Sequence, residues 1–325
     1  MKSKPNLLDR FENHFHRIEQ ELSATYHSNV ELIDDISQHS LLGEGKRLRP
    51  LLFILSAQSC GYHSEEMYRL STIFEYIHTA SLLHDDVIDN ADLRRKKPSA
   101  RNIWGNTAAV LTGDYLAAKA QSIALDSHNL ELLKGLNRAG TRMAEGQVME
   151  LLETDNWNLG RDRYLEIITA KTAELFVSAC SSGAIISRAD DQQIKTLGQF
   201  GFNLGITFQL IDDLLDYTAS KEEFGKPVGK DLKEGKITLP LIYALSELEE
   251  KEKKRLRQKM TKEKAKGQAL TEAIELVRKG NAVKQVRREA EDYSHKASTY
   301  LEKLPDSQAK TDLIDLNSFL VSRSY

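Results

Sequence analysis

The chain has 325 residues, of which 40% are hydrophobic, and this is enough apolar material for a large core. Its formal net charge of -3 supplies no general basic field, which argues against nucleic acid as a partner. The two cysteines lack metal-ligand spacing, so we expect a reducing compartment, the cytoplasm. No apolar run approaches the roughly 18 residues of a membrane span, so we expect at most peripheral membrane contact.

Apolar residues recur at intervals of three and four along residues 70–84, 165–179 and 197–211, which is the pattern of amphipathic helices. No proline falls between Pro98 and Pro227, and this permits long uninterrupted helices. Glycine, proline and polar clusters predict turns at residues 43–50, 94–99, 156–160 and 225–235. Because no linker or repeat divides the chain, the sequence predicts one all-α domain, a bundle of packed helices over residues 1–325.

One aspartate pattern occurs twice, as Asp85-Asp86-Val87-Ile88-Asp89 and as Asp212-Asp213-Leu214-Leu215-Asp216. In a helix, the first and last aspartates of each copy share a face, and carboxylates placed so close among apolar neighbours repel one another and lose hydration. Mg2+ relieves both costs, since it binds carboxylates together with substrate phosphates. The pattern therefore predicts two metal platforms for one diphosphate, and two solvated acidic faces are the alternative.

Basic and polar residues suggest where anions bind. The turn Gly45–Pro50 concentrates Lys46, Arg47 and Arg49, which suits a phosphate group but also an ordinary surface loop. The remaining candidates could equally be surface or structural residues one by one, and together they indicate two anion pockets around one metal cluster. They are His78, two helical turns before Asp85, the pair Arg94 and Arg95, and Lys171, Thr172, Gln209, Lys226 and Lys236.

Further short motifs accompany these residues. The full set consists of both aspartate motifs, the Gly45–Pro50 turn, Arg94-Arg95, Trp104-Gly105-Asn106, Gly113-Asp114, Glu145-Gly146-Gln147, Lys171-Thr172, and Gly225-Lys226 with Asp231, Lys236 and Pro240. On this set the chain resembles the trans-isoprenyl diphosphate synthases, the polyprenyl synthetase family, from about residue 40 to 245. It departs from the family at Glu44 and Lys96, where glycine is usual or common.

The resemblance implies an isoprenoid synthase fold, a homodimer of packed helices around a deep central cavity, with both aspartate motifs at its mouth. It implies Mg2+ as the cofactor, and isopentenyl diphosphate and an allylic diphosphate as substrates. The implied catalytic residues are Asp85, Asp86, Asp89, Asp212, Asp213, Asp216, Lys171 and Lys226, with Asp85, Asp89 and Asp212 as metal ligands. The implied allylic contacts are Arg94, Lys171, Thr172, Gln209, Lys226 and Lys236, and those to isopentenyl diphosphate are Lys46, Arg49, His78 and Arg95.

Product length should depend on the residues about one helical turn below the first aspartate motif. Ala80 and Ser81 are small there, whereas short-chain members of the family often carry an aromatic residue, and Ile77 and Phe74 are candidates for the floor. We therefore expect farnesyl diphosphate to be extended to a hexaprenyl to octaprenyl product for a quinone side chain. A geranylgeranyl or farnesyl diphosphate synthase, a terpene cyclase, and a catalytic subunit that needs a small accessory subunit remain open.

Overall fold

The structure is a computed structural model that describes residues 7–42, 45–94, 97–218, 228–263 and 266–322. Predicted site residues Arg95 and Lys226, like Glu44 and Lys96, lie outside the described residues. The chain forms two compact units. The first comprises the described parts of Met1–Gly140, Leu175–Gly201 and Tyr300–Leu316, and the second those of Thr141–Glu174, Phe202–Thr299 and Asn317–Tyr325.

Helices dominate both units, as the sequence predicts. In chain order they are a 3-10 helix (Leu7–Phe11), α1 (Glu12–Thr25), α2 (Glu31–Leu41), α3 (Leu48–Ser59), α4 (Glu66–Ile88), α5 (Ala100–Asp126), α6 (Leu130–Leu152), α7 (Arg161–Ile168), a π-helical turn (Thr169–Ala173), α8 (Glu174–Ile186), α9 (Asp191–Thr218), α10 (Lys230–Lys233), α11 (Leu239–Ser246), α12 (Glu250–Lys262), α13 (Gly267–Lys279), α14 (Ala282–Leu301) and α15 (Gln308–Val321). Two short strands, β1 (Leu93–Arg94) and β2 (Lys97–Pro98), pair in antiparallel fashion.

Helix α4 forms the centre of the first unit. It packs against α1, α2, α3 and α5, and most of its side chains are buried, because apolar or small residues occupy nearly all of its faces. Phe74 of α4 and Phe53 of α3 pack with their ring centroids 5.3 Å apart. The predicted stripe over residues 70–84 is therefore confirmed as a helix that carries the first aspartate motif at its end.

The second unit has its own apolar core, to which α7, α9, α11, α13 and α14 contribute. The predicted stripe over residues 197–211 lies within α9, whose last two turns carry the second aspartate motif. The stripe over residues 165–179 is helical throughout, but the π-helical turn Thr169–Ala173 interrupts its α-helical geometry. Such turns insert one extra residue and occur frequently at functional sites.

Where the structure describes them, the predicted turns are confirmed with two differences; residues 43–44, 95–96 and 225–227 lie outside the described residues. Helix α3 begins at Leu48, so that Pro50 lies in its first turn, where a proline is tolerated because no intrahelical bond needs its nitrogen. Within residues 225–235 the described part includes the single helical turn α10. No helix in the described ranges is long and apolar enough to cross a membrane.

Candidate active site

The first aspartate motif closes helix α4 of the first unit. The Asp89 amide donates to the Asp85 carbonyl at 2.8 Å, so the helical turn continues through the motif. Asp85 and Asp89 are therefore one turn apart on one face, as predicted, and both are half-buried. Asp86 is buried and lies on another face of the helix.

The short hairpin of β1 and β2 follows the motif and is fixed to it by hydrogen bonds. Arg94 Nε donates to Asp86 Oδ1 at 2.7 Å, so one member of the arginine pair lies directly beside the first motif. The Ser99 hydroxyl donates to the Ala91 carbonyl at 2.6 Å, and a ring nitrogen of His39 lies 2.9 Å from the Pro98 carbonyl oxygen. Asp86 and Arg94 also line a small cavity of about 50 Å³.

The three cations of the Gly45–Pro50 turn have different environments. Arg47 adopts a left-handed backbone conformation and is buried, where Nη1 donates to Glu75 at 2.5 Å and Nε donates to Glu19 at 2.6 Å. It is therefore neutralised inside the protein and is a structural residue. Lys46 is exposed, and the Arg49 guanidinium lies 4.7 Å from the ring centroid of Phe176. Lys46 and Arg49 therefore stay the turn's candidates for binding a phosphate group.

The residues proposed to set product length lie along α4. Phe74, Ile77 and Ala80 are buried, whereas Ser81 is half-buried and its hydroxyl donates to the carbonyl of His78 at 2.8 Å. His78 is half-buried and lies two turns before Asp85, as predicted. Their assignment to a product tunnel stays a prediction.

The three aspartates of the second motif have distinct environments. Asp212 is exposed, Asp213 is buried and Asp216 is half-buried. Both oxygens of Asp216 accept backbone hydrogen bonds, from the amide of Lys230 at 3.1 Å and from that of Asp231 at 3.0 Å. Asp216 therefore fixes the start of α10 against the end of α9.

Side chains hold both oxygens of Asp213. Tyr164 Oη donates to Oδ2 at 2.5 Å, and Gln209 Nε2 donates to Oδ1 at 2.6 Å. The Gln209 carbonyl oxygen accepts in turn from the Thr172 hydroxyl at 2.8 Å. Two sequence-predicted substrate residues, Thr172 and Gln209, thus belong to one chain of hydrogen bonds that ends on the second motif.

Negative charge accumulates at this motif. Burial raises the pKa of Asp213 to about 7, against the opposing effect of its hydrogen bonds with Tyr164 and Gln209. Burial also raises the pKa of Asp216, and the pKa of Asp231 is raised by burial and by the charges of Asp216 and Asp213. Carboxylates that are this costly to ionise together call for a nearby cation.

Two lysines predicted to bind the allylic diphosphate meet at one carboxylate. Lys171 Nζ donates to Glu150 Oε2 at 2.5 Å, and Lys236 Nζ lies 3.8 Å from the same oxygen. Lys236 also pairs with Glu234 at 3.0 Å. Lys171, Thr172, Gln209, Asp213 and Lys236 all line one cavity of about 130 Å³ in the second unit, so the structure brings these predicted residues together.

A glycine allows this arrangement of α6 and the π-helical turn. A Cβ on Gly146 would lie 2.5 Å from the backbone nitrogen of Lys171, so only glycine permits the close approach. Glu150 follows Gly146 by one helical turn and shares its face, which explains how its carboxylate reaches Lys171. Gly146 was recognised from the sequence as part of a motif, whereas its role became clear only from the structure.

The chemistry of these residues fits a divalent cation. The donors are hard carboxylate oxygens, Asp212 is exposed beside two carboxylates fixed by the protein, and the buried acids have raised pKa values that a cation would offset. Sequence reasoning missed Tyr164 and Glu150. Glu150 could have been found from its spacing of one helical turn after Gly146. Tyr164 could not, because its partner Asp213 is distant in sequence.

Comparison with known proteins places this all-α fold with its two aspartate motifs among the isoprenoid synthases. A solved polyprenyl synthase from Caulobacter crescentus, in complex with calcium and isoprenyl diphosphate, is similar with a TM-score of 0.92 and 36% identity over 98% of this chain and 97% of that one. Octaprenyl diphosphate synthase of Haemophilus influenzae is 35% identical over 95% of this chain and 94% of its own length. Component 2 of the Bacillus subtilis heptaprenyl diphosphate synthase is 34% identical, with 95% and 87% covered.

The family model described as polyprenyl synthetase matches residues 30–277. The chain belongs to the polyprenyl synthetase family and is a prenyltransferase.

Proposed function

We propose that the protein extends an allylic diphosphate, with farnesyl diphosphate as primer, by successive additions of isopentenyl diphosphate. The product is a medium- to long-chain all-trans polyprenyl diphosphate for a quinone side chain. The observation that carries the proposal is the cavity where Lys171 and Lys236 meet beside the second aspartate motif, since this is where a diphosphate would find both metal ligands and cations. The names of the relatives and the small side chains of Ala80 and Ser81 support the long product.

Asp85, Asp89 and Asp212 would hold Mg2+, which supplies charge neutralisation of the diphosphate leaving group. Asp86, Asp213 and Asp216 support these ligands, because their own carboxylates are engaged by Arg94, by Tyr164 and Gln209, and by backbone amides respectively. The proposed metal ligands thus lie on helical turns whose orientation is fixed by hydrogen bonds of the neighbouring aspartates.

Lysines, arginines and polar side chains would bind the two diphosphates. Arg94, Lys171, Thr172, Gln209, Lys226 and Lys236 orient the allylic substrate, and Lys46, Arg49, His78 and Arg95 hold isopentenyl diphosphate. Lys171 and Lys236 place positive charge where the leaving diphosphate gains negative charge, and this lowers the barrier to breaking the allylic carbon–oxygen bond. The double bond of isopentenyl diphosphate then attacks the allylic carbon, and a proton leaves to the departing diphosphate.

An allylic cation must be protected from water. Apolar residues of the second unit, Leu159, Ile167, Ile168 and Ile237, line the cavity around Lys171 and Lys236. Their side chains exclude water from the reacting carbon, while the polar groups contact only the diphosphate.

The free thiols of Cys60 and Cys180 fit the cytoplasmic location expected from the sequence.

We test the role of the second motif with Asp212→Asn and with Asp191→Asn as the control, because both aspartates are exposed on α9. Loss of a metal ligand should lower kcat/KM at least about 100-fold, since metal assistance supplies several kcal/mol in the transition state. Asp191→Asn should keep wild-type activity. Equal activity of the two variants would contradict the assignment.

The oligomeric state of the protein is a separate part of the proposal. We propose a homodimer from the resemblance to the family. Leu111 and Leu125, which are 59% and 62% exposed and four helical turns apart on α5, are candidates for its interface. Sedimentation should give the mass of a dimer, and Leu111→Lys should give that of a monomer. A wild-type monomer would contradict the homodimer.

An accessory subunit is the alternative, and the similarity to component 2 of the Bacillus subtilis enzyme favours it. The purified chain would then form long products only after cell extract is added. A terpene cyclase would instead convert the allylic diphosphate without isopentenyl diphosphate. With farnesyl diphosphate as primer, a geranylgeranyl diphosphate synthase would stop after one addition and a farnesyl diphosphate synthase would add none.

A further inference from the structure

We propose that Tyr164 is a positioning residue for the second aspartate motif, whose phenol holds Asp213 so that Asp212 and Gln209 are correctly oriented for the metal and the diphosphate. This inference rests on the proposed function, which assigns Asp212 to the metal and Gln209 to the allylic substrate. Tyr164 itself belongs to none of the motifs that the sequence singles out.

The hydrogen bond of Tyr164 is shielded from water. Its Oη donates to Asp213 Oδ2 at 2.5 Å, and the exposed fractions of the two residues are 3% and 2%. Exclusion of water strengthens such a hydrogen bond, because the low local dielectric leaves it unscreened. Asp213 therefore has one well-defined orientation as long as the phenol is present.

Asp213 in turn fixes the helix turn that carries the proposed metal ligand. Successive residues of an α-helix point about 100° apart, so a carboxylate that is pinned inward at Asp213 leaves Asp212 directed outward. Asp212 is indeed exposed. Release of Asp213 would allow this last part of α9 to rotate or fray, and Asp212 would lose its direction.

The same hydrogen bonds order Gln209. Its carbonyl oxygen accepts from the Thr172 hydroxyl, and this leaves its NH2 group to donate to Asp213. Two hydrogen bonds, Tyr164–Asp213 and Thr172–Gln209, thus connect α9 with the continuous helical segment formed by α7 and the π-helical turn. Because Lys171 lies on that turn, these hydrogen bonds also fix a proposed diphosphate contact relative to Asp212.

Tyr164 lines the cavity beside Lys171 and Lys236, so its loss acts at the site and not only in the core. Removal of the hydroxyl leaves the ring to fill the same space, and Tyr164→Phe should therefore fold. We choose Tyr68→Phe as the matched control. Tyr68 is also 3% exposed and its hydroxyl makes one hydrogen bond, with His14 at 2.9 Å, in the first unit.

The first measurement is calorimetric binding of farnesyl thiolodiphosphate, an analogue that resists ionisation, at several Mg2+ concentrations. Tyr164→Phe should weaken binding about tenfold, because Asp212 and Gln209 lose their fixed orientation, and should raise the Mg2+ concentration needed. Tyr68→Phe should bind like the wild type, although both variants should lose similar thermal stability. In turnover, Tyr164→Phe should lower kcat/KM for the allylic substrate and leave KM for isopentenyl diphosphate unchanged.

A double-mutant cycle tests whether Tyr164 acts through Asp213. Tyr164→Phe should have little further effect on analogue binding in the background of Asp213→Asn, since the two residues then act as one unit. Additive effects, or binding by Tyr164→Phe equal to that by Tyr68→Phe, would overturn the inference. If Asp212→Asn also bound the analogue like the wild type, the proposed function of the motif itself would fail, and the two failures are therefore distinguishable.

Discussion

The close approach of α6 to the π-helical turn makes Gly146→Ala an informative perturbation. The added Cβ would lie 2.5 Å from Lys171 N and 2.9 Å from Ala170 C, whereas ordinary van der Waals contact begins at 3.4 Å. The overlap is with backbone atoms, which cannot move aside as the end of a flexible side chain does. The helices must separate by a substantial part of an ångström, and Lys171 and Thr172 must move with them.

Stability should show two opposing effects. Overpacking costs about 1–3 kcal/mol, and replacement of glycine by alanine in a helix returns about 1 kcal/mol. Gly140→Ala in the same helix isolates the second effect, because nothing lies within 4 Å of a Cβ at that position. We therefore expect Gly140→Ala to raise the melting temperature and Gly146→Ala to lower it or leave it unchanged.

Activity should separate the two variants more clearly. A misplacement of about 1 Å in a positioning group can cost on the order of 100-fold in rate, so Gly146→Ala should lower kcat/KM for the allylic substrate by about 10- to 100-fold. Gly140→Ala should match the wild type. If both alanine variants had the same kcat/KM and the same melting temperature, the contact between Gly146 and the π-helical turn would have no role in the site.

Three other outcomes follow from the same site. Glu150→Gln removes the carboxylate shared by Lys171 and Lys236. We expect KM for the allylic diphosphate to fall several-fold, because an ion pair of roughly 1 kcal/mol no longer competes with the diphosphate for these lysines. A higher KM would show that Glu150 organises the lysines instead. Ala80→Tyr should shorten the product, measured by chromatography of the dephosphorylated chains, and unchanged length would remove Ala80 from the tunnel. Chelation of divalent cations should abolish turnover, and added Mg2+ should restore it; turnover in the chelator would contradict a metal-dependent reaction.

Residue periodicity predicted much of this fold. The stripes along α4 and α9 alternate at three and four residues, and burial of those stripes follows directly from the hydrophobic effect. The spacing of Asp85 and Asp89 likewise predicted a shared helical face, since helix geometry alone determines it. These features depend on local sequence, which explains why they could be recognised without a structure.

Features that depend on tertiary contacts were not predictable in this way. The π-helical turn lies where α6 approaches Lys171. No pattern in the local sequence predicts the extra residue that a π-helical turn inserts into a helix. The hairpin of β1 and β2 has only two residues in each strand, too few for an alternating pattern.

The basic turn shows the same limit for individual side chains. The sequence places Lys46, Arg47 and Arg49 together but does not indicate which of them is available to bind a phosphate group. In the structure Arg47 is buried and is paired with two carboxylates. The division of labour within the second motif is similar. Asp212 and Asp213 are adjacent identical residues, and only the hydrogen bonds of Tyr164 and Gln209 distinguish the held carboxylate from the exposed one.

Direct sizing of the products tests the proposed function most directly. The purified chain alone is incubated with farnesyl diphosphate, labelled isopentenyl diphosphate and Mg2+, and the products are dephosphorylated and separated by length. We expect a ladder of products that ends at hexaprenyl to octaprenyl length. Label that stops at geranylgeranyl length, or that is not incorporated at all, would contradict an autonomous long-chain synthase.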